Sequence, residues 1–309
     1  MSSRVRRISS MLASGTEIVS VLGLGDRLIS ISHECDYPPD VLDRPRGSRP
    51  RFDPEGLSSG QLDQAVRHAL AEHGSVYEVD AARLEALNPD LILTQAVCEV
   101  CAVPAPGVRE LTARLGLSAE VLSLDAHTLE DIFASVKQVA SAAGVAERGE
   151  AVVAALRARV ERVHVAVMDA QRPRVLALEW LDPPFSPGHW VPEQIEAAGG
   201  ECLVGRSGDR SRQISWESLG DLDPDVLVLM PCGYGVPATV ADADAAADRL
   251  SAVAARAIGL GRAFAVNGSA YFNRSGPRVV RGVEVLAALL HPERFEPPGE
   301  DEGTAWRPP

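Results

Sequence analysis

No stretch of this sequence stays apolar for the roughly 20 residues that a membrane-crossing helix needs, so no spanning segment is expected. Basic residues are in deficit: 30 Lys and Arg stand against 43 Asp and Glu, a formal net charge of −13. Proteins that hold a phosphate backbone cluster Lys and Arg along one face. The one short cluster near the start, Arg4, Arg6 and Arg7, reads as a solvated strand edge, and no nucleic-acid partner is expected. Cysteines are few and odd in number: Cys35, Cys98, Cys101, Cys202 and Cys232. Without a secretory leader, such a set predicts thiols and not a disulfide frame. Arginines do precede an apolar region near the start, as in a signal peptide. Ser9, Ser10, Ser14, Gly15, Thr16 and Glu17 interrupt it, and no lipid-anchor cysteine follows. The expected location is the cytoplasm, or the periplasm or exterior only if the true start lies upstream. G-x-S-x-G, Walker A and H-E-x-x-H are all missing.

What is present suits globular cores. Hydrophobic residues make up 46% of 309 residues, enough for two domains of ordinary size. Two segments repeat one pattern. "RLEALNPDLILTQ" (83–95) and "SLGDLDPDVLVLM" (218–230) each read Leu-x-x-Leu-x-Pro-Asp and then an apolar run. A short helix stopped by proline, followed by a strand buried on both faces, fits a parallel sheet. Upstream, "VRRISSML" and "PRVLALEW" read as strands, each followed by a loop and a helix ending at glycine, 17–23 and 193–199. Strand–helix alternation predicts an α/β fold built as two similar lobes.

Between the repeats, Val152, Leu156, Val160, Val163 and Val167 recur at spacings of three and four, one face of a helix. About 25 residues from Val145 would span about 37 Å at 1.5 Å per residue, a rod long enough to join two lobes. The expected organisation is an N-terminal α/β lobe over 1–127, a helical linker over 128–170, a C-terminal α/β lobe over 171–295 and a disordered tail over 296–309.

The segments "TEIVSVLGLGDRLISIS", "CDYPPDV", "LNPDLIL", "DPPFSPGHW", "EAAGGECLVG", "ISWESLGDLDPD" and "YFNRSGPRVV" together resemble the cobalamin (vitamin B12)-binding substrate-binding proteins of ABC importers, over roughly residues 4 to 292. The resemblance implies two Rossmann-like α/β lobes with mostly parallel sheets, joined by a single long helix, with a ligand cleft between the lobes. It implies recognition and not turnover, with cobalamin or a related corrinoid as the bound small molecule. Haem, iron-siderophore and metal-ion binders share the architecture and stay open as alternatives.

Loops at strand carboxyl ends are where open α/β sheets bind ligands. "SHECDYPP" follows the apolar strand "RLISIS"; Asp36 and Tyr37 read as turn residues, and His33, Glu34 and Cys35 as a candidate rim. In "DPPFSPGHW", Phe185 matches the aromatic that lies against the corrin ring in the resembled family. Flat aromatic faces suit a flat macrocycle. Trp180 and Trp190 add to that wall or fill the core. His189 is a candidate cobalt ligand by imidazole chemistry, or an ordinary capping histidine. In "YFNRSGPR", Arg274 matches the family's arginine toward the ligand's amides, with Tyr271 or Phe272 as aromatic neighbour; the alternative is a helix-start arginine paired to a surface acid.

Cys98-Glu99-Val100-Cys101 is a C-x-x-C without the second pair that a structural zinc site takes. Cys98 and Glu99 are candidate rim residues, with packing cysteines and a redox pair as alternatives. A thiol-dependent enzyme using Cys98 and Cys101 is the reading from a different class. The family docks on its permease through one acid per lobe. Glu217 stands at that place in the second half, while Ala82 holds the first, with Asp80 and Glu85 nearby. The tryptophan usual near the second acid is replaced around Ser211, and "SGQLDQAVRHALAEHGSVYEVD" is an added helix-like segment. An ABC permease partner is therefore left open.

Overall fold

The computed structural model describes residues 5–96 and 104–309. The chain forms two compact units. Unit 1 comprises residues up to 57, 64–126 and 130–155; unit 2 comprises 58–63, 127–129 and 156–309.

Unit 1 runs β1 (Ile8–Ser10), α1 (Ala13–Val21), β2 (Leu28–Ser30), β3 (Ser48–Pro50), α2 (Ser59–His73), β4 (Tyr77–Val79), α3 (Ala81–Leu87), β5 (Leu91–Thr94), α4 (Ala105–Arg114), β6 (Glu120–Ser123), α5 (Leu129–Ala142) and α6 (Ala146–Val167). Its parallel sheet has the order β2-β1-β5-β6. The apolar run predicted after Pro89 is β5, buried throughout. Met11, Leu84, Ile92 and Val108 form a core on one side, and Ile132, Val136 and Val139 of α5 are buried as well. The added segment is a helix followed by a strand, α2 and β4. The first turn of α2 belongs to unit 2 and the remainder to unit 1.

Unit 2 runs β7 (Arg174–Leu178), β8 (Trp180–Leu181), β9 (Pro184–Phe185), α7 (Val191–Ala197), β10 (Glu201–Cys202), β11 (Val226–Leu229), α8 (Val236–Ala245), α9 (Ala247–Val253), α10 (Ala255–Gly259), β12 (Ala263–Val266), α11 (Gly268–Tyr271), α12 (Val279–Leu290) and β13 (Gly303–Ala305). The sheet order is β10-β7-β11-β12-β13, parallel except for β13. Leu176, Leu178, Leu227, Leu229 and Ala265 pack on one face of the sheet, with Leu250 of α9. Each such buried aliphatic side chain contributes about 1.5–3 kcal/mol.

Within 128–170 lie two helices: Gly144, at φ +72°, ends the segment after α5, and α6 carries residues of both units. At 22 residues α6 is about 33 Å long at 1.5 Å per residue. The tail is ordered, not disordered. β13 pairs antiparallel with β12, and Trp306 is 2% exposed and donates its indole N–H to Asp244 at 2.8 Å. An acidic, proline-rich composition concealed a strand whose partner lies about forty residues upstream.

Candidate functional site

In unit 2 the parallel strands β7, β11 and β12 are neighbours, so the loops that follow them leave from one edge, the carboxyl edge where α/β sheets take ligands. Backbone and side-chain bonds tie these loops together. Cys232 N–H donates to Glu179 O at 3.0 Å, Ser269 N–H to Tyr234 O at 3.1 Å, and the Trp190 indole to Phe272 O at 2.8 Å. A Cβ at Gly268 would sit 2.3 Å from Pro231 O, so only glycine permits that approach.

Phe185 lies on β9, in a hairpin opposite Trp180 and bridged to Gln213, and keeps part of its surface open. Trp180 is also partly open; its indole donates to Asp182 O at 3.1 Å and its ring lies 5.2 Å from that of Tyr234. His189 closes the same loop at φ +52°, left-handed backbone that histidine tolerates better than most residues. Its amide donates to Asp209 O at 2.6 Å, and its ring centroid is 5.4 Å from that of His127. Burial first, then the nearby His127 and Arg210, push its imidazole down to about 4. It is therefore neutral at pH 7, and its Nδ1 is buried with no hydrogen-bond partner among the described residues. A neutral imidazole that keeps part of its surface open can ligate a metal. His127 follows β6 in sequence but belongs to unit 2, where the Glu193 carboxylate accepts the Leu129 amide at 2.7 Å and the Ser207 hydroxyl. No sequence motif marked His127.

Two expected contacts prove to be core. Phe272 has no exposed surface, and Trp190 is 7% exposed at the start of α7 with its indole engaged. Enclosed on all sides, neither ring offers a face to a ligand. Tyr271 is the aromatic with open surface; its hydroxyl donates to Glu302, and the Arg278 guanidinium stands 5.8 Å from its ring centre. Burial raises its phenol above the ordinary value. Arg274 is partly open in the turn before α12, and its carbonyl accepts the Gly276 amide at 2.8 Å.

In unit 1 the segment His33–Cys35 follows β2 at the carboxyl edge, as expected. His33 contacts Ser48 Oγ through Nδ1 at 2.9 Å, Glu34 through Nε2 at 3.2 Å, and the Tyr77 ring at 4.5 Å between centroids. Cys35 is corrected from rim to interior: it is 3% exposed and its Sγ lies 3.1 Å from Thr16 Oγ1. Arg46 holds the segment from below by donating to Ser32 O at 2.9 Å and Cys35 O at 2.7 Å. Cys98, Glu99 and Cys101 lie outside the described residues. Among the described residues no group of three or more His, Cys, Asp and Glu is placed to hold a metal ion, and no helix is long and apolar enough to cross a membrane. Glu217 is exposed at the start of the 3-10 turn before β11. Asp80 is occupied as the cap of α3, accepting the Arg83 amide at 3.0 Å.

Comparison with known proteins fits this architecture. The family described as periplasmic binding protein matches residues 8–258. A vitamin B12-binding protein of Vibrio cholerae is 24% identical over 225 residues, covering 72% of this chain and 69% of its own. A substrate-binding lipoprotein of an ABC transporter in Bacillus subtilis is 20% identical over 302 residues, covering 94% and 82%. The crystal structure of a periplasmic heme-binding protein from Pseudomonas aeruginosa superposes with a TM-score of 0.71 at 21% identity, covering 97% of this chain and 98% of that one. At that identity the likeness shows the shared fold.

Proposed function

We propose, from the premise that this chain belongs to the periplasmic binding protein family, that it binds cobalamin or a related corrinoid at the carboxyl edge described above. The work is recognition, with no bond made or broken. The observation that carries the reading is the pairing, in one loop, of the partly open Phe185 with the partly open, neutral imidazole of His189. A flat macrocycle with a metal at its centre takes both: apolar stacking area and an axial nitrogen. Trp180 and Tyr271 extend the apolar surface, and Arg274 meets amide carbonyls of the ligand. The Vibrio cholerae relative supports the corrinoid.

The same pairing favours haem as the second reading, supported by the Pseudomonas aeruginosa neighbour. In unit 1, His33 and Glu34 are the proposed contacts, with Cys98 and Glu99. Glu217 is the proposed docking acid for an ABC permease, with the Bacillus subtilis relative as support. A carrier or sensor inside the cytoplasm uses the same edge without that docking.

Titration of the purified chain with hydroxocobalamin, followed by calorimetry and visible absorbance, tests the reading, with hemin in parallel. Micromolar binding of the corrinoid is expected, with a spectral shift that His189→Ala abolishes while binding persists. Phe185→Ala should weaken binding about tenfold, the size of a lost aromatic stacking contact. Absence of heat and of any spectral change with hydroxocobalamin, together with tight hemin binding, would overturn the corrinoid in favour of haem.

A further inference from the structure

Glu179 ends the apolar run of β7, where Val175 to Leu178 are fully buried, and the ligand reading leaves it unused. Its carboxyl joins two separate loops. One oxygen accepts the Gly188 amide at 3.2 Å and the other accepts the Ser211 hydroxyl at 2.5 Å. Its own amide donates to Phe185 O at 3.1 Å. The two loops also meet directly: Ser186 N–H donates to Arg212 O at 3.0 Å, and a Cβ at Gly188 would lie 2.2 Å from the Ser211 amide nitrogen. Phe185 and His189 therefore stand on a loop whose position Glu179 and residues 209–212 set together.

We propose that Glu179 is a proton-dependent positioning residue, a latch that holds the Phe185–His189 loop against residues 209–212 while protonated and loosens it on ionising. The inference rests on the ligand reading only for its consequence in binding, because the latch exists without a ligand. Its cause is desolvation. Burial, the largest influence, pushes the carboxyl up to about 7, with the Ser211 hydroxyl and the Gly188 amide acting the other way. A carboxylate that ionises more easily in water favours the open loop as pH rises from about 4.5 to about 7, with no further effect above. Protonated, the group still accepts from Gly188 and can donate to Ser211.

The charged and titratable neighbours are known by element. Cys202 on β10 is pushed up to about 12 by burial and stays a thiol. Glu196 on α7 acts on Cys202, and His189 is neutral at pH 7. Asp209, Arg210 and Arg212 lie on the facing loop, and Cys232 follows β11.

Amide exchange of Ser186, Gly188 and His189 in the ligand-free chain tests the latch by NMR, after correction for the intrinsic base-catalysed rate. Protection should fall about tenfold per pH unit between pH 5 and pH 7, the slope of one linked proton, and be level above about pH 7. In Glu179→Gln it should stay level throughout. Ser211→Ala should keep the slope and move its midpoint upward, since the hydroxyl lowers the carboxyl's pKa. Level protection in the unaltered chain, or the same slope in Glu179→Gln, overturns the proposal. If Glu179→Gln does not fold, an unmoved midpoint in Ser211→Ala overturns it. No ligand enters these measurements, so a failed hydroxocobalamin titration and a failed latch are separate results.

Discussion

In unit 1 the Asp90 carboxylate accepts the amides of Arg6 and Arg7 at 2.8 and 3.0 Å, and in unit 2 Asp225 accepts the amide of Arg174 at 2.9 Å. The arginines reciprocate. Arg7 donates to Leu87 O and Asn88 O, and Arg174 to Asp223 O. Asn88 and Asp223 both turn the chain through left-handed backbone, at φ +41° and +42°. One clasp is thus built twice, at the amino edge of each sheet. At the carboxyl edges the likeness ends. The unit 1 segment is held by the permanently charged Arg46 through backbone carbonyls, and the unit 2 loop by the titratable Glu179. The repeated scaffold is fixed where the strands begin, and the units diverge at the carboxyl edges.

The largest effect should come from separating core from edge in unit 2. Phe272→Ala should cost about 3–5 kcal/mol of folding stability, the usual range for emptying a buried aromatic site. Tyr271→Ala should cost much less and act on ligand affinity instead. Denaturant melts of the two variants decide it: equal losses would mean that the neighbours share one role.

The clasps come next. Asp90→Ala removes the acceptor of two amides and Asp225→Ala that of one, and at about 0.5–1.5 kcal/mol per hydrogen bond the losses should be about 1–3 and about 0.5–1.5 kcal/mol. Per hydrogen bond, the losses should agree within about 1 kcal/mol if the two clasps are equivalent. Asp225 also pairs with Arg256 at 2.8 Å, so any excess belongs on its side. A large loss at one site and none at the other would break the comparison.

The repeated helix–stop–strand units were legible in the sequence because they are local; the Asp90 and Asp225 bonds that clasp them reach residues 83, 84 and 51 positions away and left no signal. Leu-x-Pro-Asp dictates a left-handed turn, a stop and a buried strand within a few residues, and α6 declared itself by its apolar spacing. The carboxyl edge was less legible. An aromatic in a motif reads alike whether it is open or enclosed: Phe185 keeps part of its surface open, while Phe272 and Trp190 are buried. His127 is brought to His189 by a loop 62 residues away, a distance that no periodicity encodes. Glu179 left one signal, a lone acid ending the apolar run "VLAL", and its partner Ser211 looked only like a missing tryptophan.

Glu179 should also register in stability. Its ordinary carboxyl value is 4.5 and its folded value about 7, so between these the folded chain holds the extra proton. Its contribution is most favourable below pH 4.5, declines as pH rises to about 7, and is level above. Glu179→Gln cannot ionise and should be more stable than the unaltered chain above pH 7, by on the order of 2 kcal/mol after allowing for partial solvent access. The two should converge near pH 5. Thermal melts at pH 5 and pH 8 check this; a difference of equal size at both would mean that the carboxyl's ionisation is not felt by the fold.

The smallest effect belongs to His189, which titrates in the opposite sense. Its imidazole falls from 6.5 to about 4 on folding, so as pH drops the unfolded chain takes the proton first. The favourable contribution of the neutral ring is whole above pH 6.5 and lost progressively down to about 4. Because the ring keeps some contact with solvent, the loss should be on the order of 1 kcal/mol. His189→Asn is the informative change, since asparagine also accepts left-handed backbone and so spares the φ of +52°. Because Glu179 acts alike in both chains, the difference between them isolates the ring: from pH 7 to pH 5 the variant should gain stability relative to the unaltered chain. If the difference stays constant, the acid sensitivity lies elsewhere, and the neutral imidazole loses its place as the feature that sets the unit 2 edge apart from that of unit 1.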